Sequence, residues 1–187
     1  MTVLAAATIG VMGSSQDEHL NLAEPLAKLL ARLEVNVLTG AGRGVMTSVS
    51  RYFLQSRIGR GITVGIVPCA SADARHIPRA GSPNPYVELP IYTHLPLSGL
   101  DGSDDLSRNH INVLSSDAVI ALPGSDGTRN EVELALKYHK PVALFAAHDS
   151  AFMGFNATAP RLYDIGDVEK FLTPLIQAAA RKRRSAE

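Results

Sequence analysis

The sequence predicts a single doubly wound α/β domain, with one mainly parallel sheet and helices on both faces. Two observations predict this fold. Strand-like segments alternate with helix-like segments along the chain, as in consecutive β-α-β units. Most of the strand-like segments are continuously apolar, as expected of strands buried on both faces. The length of 187 residues suits one domain, which we place at residues 3–180, followed by a basic C-terminal tail at 181–187.

Local patterns predict the individual elements. Apolar runs predict strands at residues 4–12, 35–40, 62–68, 86–93, 118–124 and 141–147. Helical spacing predicts helices at residues 17–34, 45–58, 104–116, 129–140 and 168–182. In the first helix, one apolar stripe is formed by Leu22, Leu26, Leu29, Leu30 and Leu33. Segment 69–85, rich in Ala, Ser, Pro and Gly, is predicted to be a loop that is either a lid or binding loop or disordered.

Composition restricts the possible partners. The formal net charge is zero, which gives no indication of nucleic-acid or membrane binding, so neither is expected as a partner. The basic run at 181–185 is either a solvated helix end or a contact to nucleic acid or membrane. Cys69 is the single cysteine, so no internal disulfide forms, and this is consistent with the cytoplasm. The N-terminal run resembles a first strand, not a signal peptide.

The histidines have no metal-binding spacing. No H-E-x-x-H motif and no convincing histidine pair occurs, so no metal site is predicted. His94 and His110 either lie on the surface or line a cleft near residues 93–112.

Three predicted strands end in turns made of small residues. These turns are GVMGSS at 10–15, TGAGRGVM at 39–46 and PGSDGT at 123–128. Ligands of open α/β sheets bind outside the carboxyl ends of the strands. Helix N-termini there favour anions, and glycine lets the backbone come close. The sequence thus predicts a phosphate-bearing ligand, bound by Gly13, Ser14, Ser15, Gly40, Gly42, Gly44, Met46, Gly124, Ser125, Gly127 and Thr128. No turn has the GxGxxG fingerprint on a first strand or the P-loop spacing.

The stretches GAGRGVM and PGSDGTRNE resemble the LOG family, within the SLOG group of Rossmann-like nucleotide-binding proteins. That family carries a GGGxxGxM-type turn and a later PGGxGTxxE turn. The matching residues here are Gly40, Gly42, Gly44 and Met46, then Pro123, Gly124, Gly127, Thr128 and Glu131. Arg108 occupies the place of a family arginine, although Asn109 follows it where the family has a basic residue. Ser125 replaces the second glycine, and Asp126 adds a negative charge that Arg129 could offset.

The resemblance implies two alternative functions. Active LOG-type members cleave the N-glycosidic bond of nucleoside 5′-monophosphates, whereas close relatives are molybdenum cofactor carriers that bind without chemistry. The segment from ELPIYTHLPLSG to DAVIALPG looks more like the carrier branch. The first hypothesis is therefore a binding or carrier protein with a bound nucleotide or molybdenum cofactor, and no cofactor is required. The resemblance also implies a cytoplasmic homo-oligomer, a dimer or higher.

Arg108 and Glu131 are the candidate catalytic residues if the protein is a hydrolase. A carboxylate can stabilise positive charge on the anomeric carbon, and an arginine can hold phosphate or ribose oxygens. Both residues are also candidates for ligand binding alone. Thr128 and Glu131 also fit a T-x-x-E capping box, which needs no ligand, and Arg108 fits a surface or interface arginine.

Overall fold

The structure, a computed structural model, describes residues 7–156 and 158–185. The strands are β1 Thr8–Met12, β2 Asn36–Thr39, β3 Thr63–Val67, β4 Leu89–Tyr92, β5 Ala118–Ala121, β6 Val142–Phe145 and β7 Arg161–Leu162. The α-helices are α1 Leu20–Arg32, α2 Val45–Ser56, α3 Asn109–Leu114, α4 Asp126–Lys137 and α5 Ile165–Arg184. The predicted strand residues 4–6, the domain start at residue 3 and the tail end at 186–187 lie outside the described residues.

The seven strands form one sheet in the order β4-β3-β2-β1-β5-β6-β7. Every neighbouring pair is parallel. The chain winds outward from β1 to one edge, returns to place β5 on the other side of β1, and then winds to the opposite edge. Connections of parallel strands are right-handed, so this reversal sends helices to both faces. The predicted doubly wound α/β fold is confirmed.

The helices separate into two groups by their contacts. Helix α1 packs against α2 and α5, whereas α3 packs against α4. The predicted apolar stripe of α1 is buried at Leu22, Leu26, Leu29 and Leu30. The central strands β1, β5 and β6 are buried at nearly all positions. Burial from both sides explains why their sequences are continuous apolar runs rather than alternating ones.

Several element boundaries differ from those predicted. Strand β7 was missed, because two residues at a sheet edge leave no periodic signal. Predicted helix 104–116 contains only α3, since the backbone N–H of Ser107 bonds the Asp104 carbonyl in a preceding turn. Helix α4 begins at Asp126, three residues before the predicted start. Helix α5 runs through residues 181–184, so most of the basic run continues this helix.

Strand β4 lies at the edge of the sheet and is mostly exposed, whereas the other apolar runs are buried. Among the described residues, no helix is long and apolar enough to cross a membrane. The same residues contain no group of three or more His, Cys, Asp and Glu side chains that could hold a metal ion.

Loop 69–85 is held in place by backbone hydrogen bonds. Ala70 N–H donates to the Ile77 carbonyl at 2.8 Å, and Arg79 N–H donates to the Pro68 carbonyl at 3.0 Å. Near its end, Asn84 N–H donates to the Ala41 carbonyl at 2.8 Å. These bonds tie the loop to the ends of β2 and β3, which favours the binding-loop alternative over disorder.

Candidate functional site

A cleft of about 840 Å³ lies outside the carboxyl ends of the strands, where the winding direction reverses between β1 and β5. This is the position at which open α/β sheets bind ligands. Its walls come from the ends of β1 and β2 and from the first turns of α2 and α4. Two loops close its sides with residues 79–82 and 98–99. Of the predicted binding residues, the lining includes Gly13, Ser15, Gly40, Gly42, Gly44, Met46, Arg108, Ser125, Gly127, Thr128 and Glu131.

The turn after β2 is shaped by Gly44, which precedes α2. Its φ of 63° with ψ of −131° belongs to a region that only glycine occupies readily. A Cβ at this position would overlap the Ser14 carbonyl oxygen. The Val45 N–H donates to that same carbonyl at 2.9 Å. Gly44 therefore lets the turn after β2 pack directly on the turn after β1.

The guanidinium of Arg108 lies over the backbone of Gly40. A Cβ at position 40 would overlap the Nη1 and Nη2 atoms of this arginine. Arg108 is only 8% exposed, although it stands at the N-terminus of the short helix α3. The surface-arginine alternative is therefore wrong, because tertiary packing brings this side chain into the cleft wall.

Arg108 is a buried cation without enough partners. Its Nε and Nη1 atoms are buried and make no hydrogen bond. Burial lowers the pKa of Arg108, the nearby charge of Glu131 acts in the opposite direction, and Arg79 lowers it further. An arginine keeps its proton in proteins, so the cleft wall holds a positive charge, and two buried donors of this side chain lack partners.

Glu131 is buried beside Arg108 and is held by Asn112. The Asn112 Nδ2 donates to Glu131 Oε1 at 2.7 Å, and Glu131 is 7% exposed. Burial raises the pKa of Glu131, while Arg108 and the Asn112 hydrogen bond act to lower it. The protonated, neutral form is thus favoured more than for an ordinary glutamate.

The capping-box alternative for Glu131 is wrong. Helix α4 begins at Asp126 with Ser125 as its N-cap, so Thr128 already lies inside the first turn. Glu131 is a turn further along, where no backbone N–H remains for it to cap. Its carboxyl group is available to the cleft and to Asn112 instead.

Two predicted binding residues, Ser14 and Gly124, do not line the cleft. They instead join the turn after β1 to the turn after β5. Ser14 N–H donates to the Pro123 carbonyl at 3.1 Å, and its Oγ accepts from the N–H groups of Gln16 and Asp17. At Gly124, a Cβ would overlap the Thr128 hydroxyl and come within 3.0 Å of the Ser14 nitrogen. The polar groups of Ser14 are therefore used in hydrogen bonds within the protein.

The charge of Asp126 is offset by its neighbour. Arg129 Nη1 lies 3.4 Å from Asp126 Oδ1 in an ion pair on the surface of α4. Asp126 is not among the cleft-lining residues. The negative charge of Asp126, which would oppose a nearby phosphate, is therefore paired with Arg129 outside the cleft lining.

His94 and His110 do not line the cleft. The two ring nitrogens of His110 contact the Tyr138 hydroxyl at 2.6 Å and the Asp104 carbonyl oxygen at 2.9 Å. Its ring therefore links α4 to the turn before α3.

Sequence reasoning missed many residues of the cleft wall, among them Arg43, Arg79, Ser82 and Ser98. Arg43 was inside the TGAGRG turn, and an arginine between glycines could have been singled out. Arg79, Ser82 and Ser98 lie in irregular segments, so the length of loop 69–85 was the only available signal.

The reversed strand order and the cleft at the reversal define a Rossmann-like α/β protein. Within that class, this chain belongs to the SLOG cluster4 family, whose model matches residues 6–171. No curated protein sequence matches the chain significantly.

Solved structures agree with this assignment. The molybdenum cofactor carrier protein from Chlamydomonas reinhardtii is 27% identical, with 92% of this chain and 99% of that chain covered and a TM-score of 0.69. The molybdenum cofactor binding protein from Rippkaea orientalis is 31% identical, with coverages of 92% and 86% and a TM-score of 0.59.

A more distant structure shares the fold alone. DNA processing protein A from Helicobacter pylori, described as binding single-stranded DNA, is 15% identical with a TM-score of 0.61. The alignment covers 91% of this chain and 81% of that chain. The expectation that this chain binds no nucleic acid stays a prediction.

Proposed function

We propose that this chain is a binding or carrier protein that holds a small phosphate-bearing ligand, of nucleotide or pterin type, in the cleft. The observation that carries the proposal is the buried guanidinium of Arg108, whose Nε and Nη1 atoms have no hydrogen-bond partner. A buried cation without a counter-ion costs free energy. A phosphate in the cleft would supply the negative charge, and its oxygens could accept from the part of the guanidinium that lines the cleft.

The backbone around the cleft supports the same kind of ligand. Gly40, Gly42 and Gly127 line the cleft; the Arg108 guanidinium covers Gly40, and the Gly42 N–H donates to the Met46 sulfur at 3.3 Å. The first turns of α2 and α4 contribute to the wall, so the positive ends of two helix dipoles lie beside it. Bare amides and dipoles recognise a phosphate and leave the attached group to the rest of the cleft.

The relatives direct the choice of ligand toward the molybdenum cofactor. Two solved structures that cover 92% of this chain are named as a carrier and a binding protein of that cofactor. The cleft volume of about 840 Å³ lies within the range of small-molecule and cofactor sites. Arg108 and the glycine turns would hold the phosphate of this pterin cofactor. In a carrier, these residues bind and shield the ligand, and none of them reacts with it.

Native mass spectrometry tests the proposal. The protein is purified without harsh washing from cells that make molybdenum cofactor, and its mass is compared with that of Arg108→Met. We expect a phosphorylated small molecule on the wild-type protein and its loss from the variant. Arg60→Gln, an exposed arginine outside the cleft, is the matched control and should retain the ligand.

Titration with nucleoside monophosphates, pyridoxal phosphate and inorganic phosphate extends this test to added ligands. Absence of any bound or titrated phosphate compound on the wild-type protein contradicts the proposal.

A second candidate is a nucleoside 5′-monophosphate phosphoribohydrolase. The specific support is that Arg108 and Glu131 line one cleft and their charges act on each other. An arginine could hold the phosphate and a carboxylate could stabilise charge on the sugar. Burial raises the pKa of Glu131, which disfavours the carboxylate that this function needs and so weighs against it.

Release of free base decides between the two candidates. Incubation with a panel of nucleoside monophosphates should release no base if the protein only binds. Base release that is abolished in Glu131→Gln and retained in Glu133→Gln, a surface neighbour on α4, would establish the hydrolase. If the protein binds a nucleotide without releasing base, and Glu131→Gln changes neither result, catalysis at this residue is excluded.

The proposed carrier is also expected to act as a homo-oligomer in the cytoplasm, which rests on the family resemblance. Light scattering coupled to size exclusion measures the oligomeric state directly. A monomer at micromolar concentration would contradict this part of the proposal.

A further inference from the structure

Loop 69–85 adds a cation to the cleft, which Arg43 and Arg108 also line. Arg79 lines the cleft together with Arg108. Its Nη1 donates to the Ser98 hydroxyl at 2.6 Å, and its Nη2 donates to the Pro96 carbonyl oxygen. Both acceptors are neutral, so they orient the guanidinium without compensating its charge. The backbone of Arg79 is also anchored, through its N–H to the Pro68 carbonyl at the end of β3.

Arg79 and Arg108 differ from several other arginines of the chain. Elsewhere, arginines such as Arg32, Arg57 and Arg161 form ion pairs with carboxylates. Within the described residues, neither Arg79 nor Arg108 forms such an ion pair. The positive charge of Arg79 also acts on Arg108 and lowers its pKa. Two guanidinium groups without an ion-paired carboxylate therefore lie close enough to repel each other in the wall of one cleft.

We propose that Arg79 is a second anion-binding residue, which together with Arg108 receives a doubly charged phosphate monoester, and that loop 69–85 is therefore a binding loop. This inference rests on the proposed function, because it requires a phosphate-bearing ligand in the cleft. A phosphate monoester carries close to two negative charges above its second pKa of about 6, whereas a diester carries only one. Two guanidinium groups match the monoester in charge.

The arrangement of Arg79 suits recognition rather than nonspecific attraction. The bonds to Ser98 and Pro96 hold the guanidinium in one orientation before the ligand arrives, so little side-chain freedom remains to be lost on binding. Charge-assisted bonds from a pre-oriented arginine are among the stronger hydrogen bonds in proteins. The loop thus contributes a positioned charge as well as part of the cleft wall.

Paired probes test the inference on the full-length protein. AMP and its phosphate O-methyl ester share base and sugar but differ by one negative charge at pH 8. Calorimetric titration of the wild-type protein should show a preference for AMP of about tenfold or more, equivalent to about 1.4 kcal/mol. Arg79→Gln should lose most of this preference, chiefly through weaker AMP binding.

Two further variants separate charge from structure. Arg75→Gln alters an exposed arginine of the same loop, outside the cleft wall, and should keep the wild-type preference. Arg79→Lys retains the charge and should keep most of it. A lysine variant that loses the preference as completely as the glutamine variant overturns the role of charge. Melting curves of all variants establish that each is folded.

The outcomes distinguish the two levels of the proposal. If the wild-type protein binds AMP, but Arg79→Gln leaves the ratio of the two affinities unchanged, the role of Arg79 is overturned and the proposed function stands. If the wild-type protein binds neither probe, nor inorganic phosphate at millimolar concentration, the proposed function fails and this inference fails with it.

Discussion

The guanidinium of Arg108 rests on the bare backbone of Gly40, at a spot where any Cβ would overlap its Nη1 and Nη2 atoms. These two residues are far apart in the sequence and come together only because β2 ends beside the N-terminus of α3. The contact explains how a long cationic side chain can be only 8% exposed within the wall of a cleft. It also makes Gly40 a sensitive point of the site.

Gly40→Ala is expected to displace Arg108 and weaken binding of phosphate compounds. The added methyl group removes the space that the guanidinium occupies, and the buried side chain has few other places to go. We expect at least about a tenfold loss of affinity and a stability loss of roughly 1–3 kcal/mol from overpacking. Titration with AMP and urea denaturation measure the two effects. Gly166→Ala, in the first turn of α5, is the control and should bind normally.

Gly44→Ala is expected to destabilise the protein more than Gly99→Ala. Both glycines have positive φ, 63° and 67°, so alanine is strained at each by roughly 1–2 kcal/mol. At Gly44 the new Cβ would also overlap the Ser14 carbonyl, whereas nothing lies within 4 Å at Gly99. The difference in the free energy of unfolding between the two variants measures this overlap. Equal losses would show that the packing between the turns after β1 and β2 contributes little.

Glu131→Gln is expected to remove a pH dependence of stability. Burial raises the pKa of Glu131 above its ordinary value of 4.5, so the folded state holds the proton more tightly than the unfolded state does. This stabilising contribution is fully present below the unfolded pKa and is lost as pH rises through the folded pKa. Glutamine stays neutral, so the variant should gain stability relative to the wild-type protein as pH rises from 4 to 8.

Urea denaturation across this pH range, with Glu133→Gln as the control, tests the expectation for Glu131. A variant that loses relative stability as pH rises would show that Glu131 ionises in the folded state as a partner of Arg108.

Glu88→Gln is expected to show the opposite pH dependence. Partial burial acts to raise the pKa of Glu88, but hydrogen bonds from Arg57 and Thr63 outweigh it and lower the pKa below 4.5. Arg57 contacts both carboxylate oxygens, at 2.7 and 2.9 Å. The stability from this network is present above the unfolded pKa and is lost as pH falls through the folded pKa.

At pH 7 we expect Glu88→Gln to lose roughly 1–2 kcal/mol of stability, because charge-assisted hydrogen bonds are weakened. The difference from the wild-type protein should shrink toward pH 3. Glu169→Gln breaks the more exposed pair with Arg32 and should lose less stability than Glu88→Gln, because solvent screens an exposed ion pair. A Glu88 variant whose deficit is constant with pH would contradict the ionic origin of this contribution.

The sequence by itself determined the class of fold. Runs such as AVIAL at 118–122 are apolar at consecutive positions because both sides of a central strand are covered, and this signal needs no knowledge of neighbours. The glycine turns after β1, β2 and β5 were visible for the same reason, since a bare turn is a local property of the chain. The two-residue strand β7 was invisible, because it exists only through its pairing with β6.

Only the tertiary structure decided how the site is built. Local patterns could not show that Arg108 is buried over Gly40, that Asn112 holds Glu131, or that Ser14 spends its polar groups on the fold. They also gave no reason to single out Arg79, which reaches the cleft from an irregular loop. Each of these contacts joins residues that are distant in the chain, and the crossovers of a parallel sheet determine which of them meet. Local periodicity records burial but carries no information about partners.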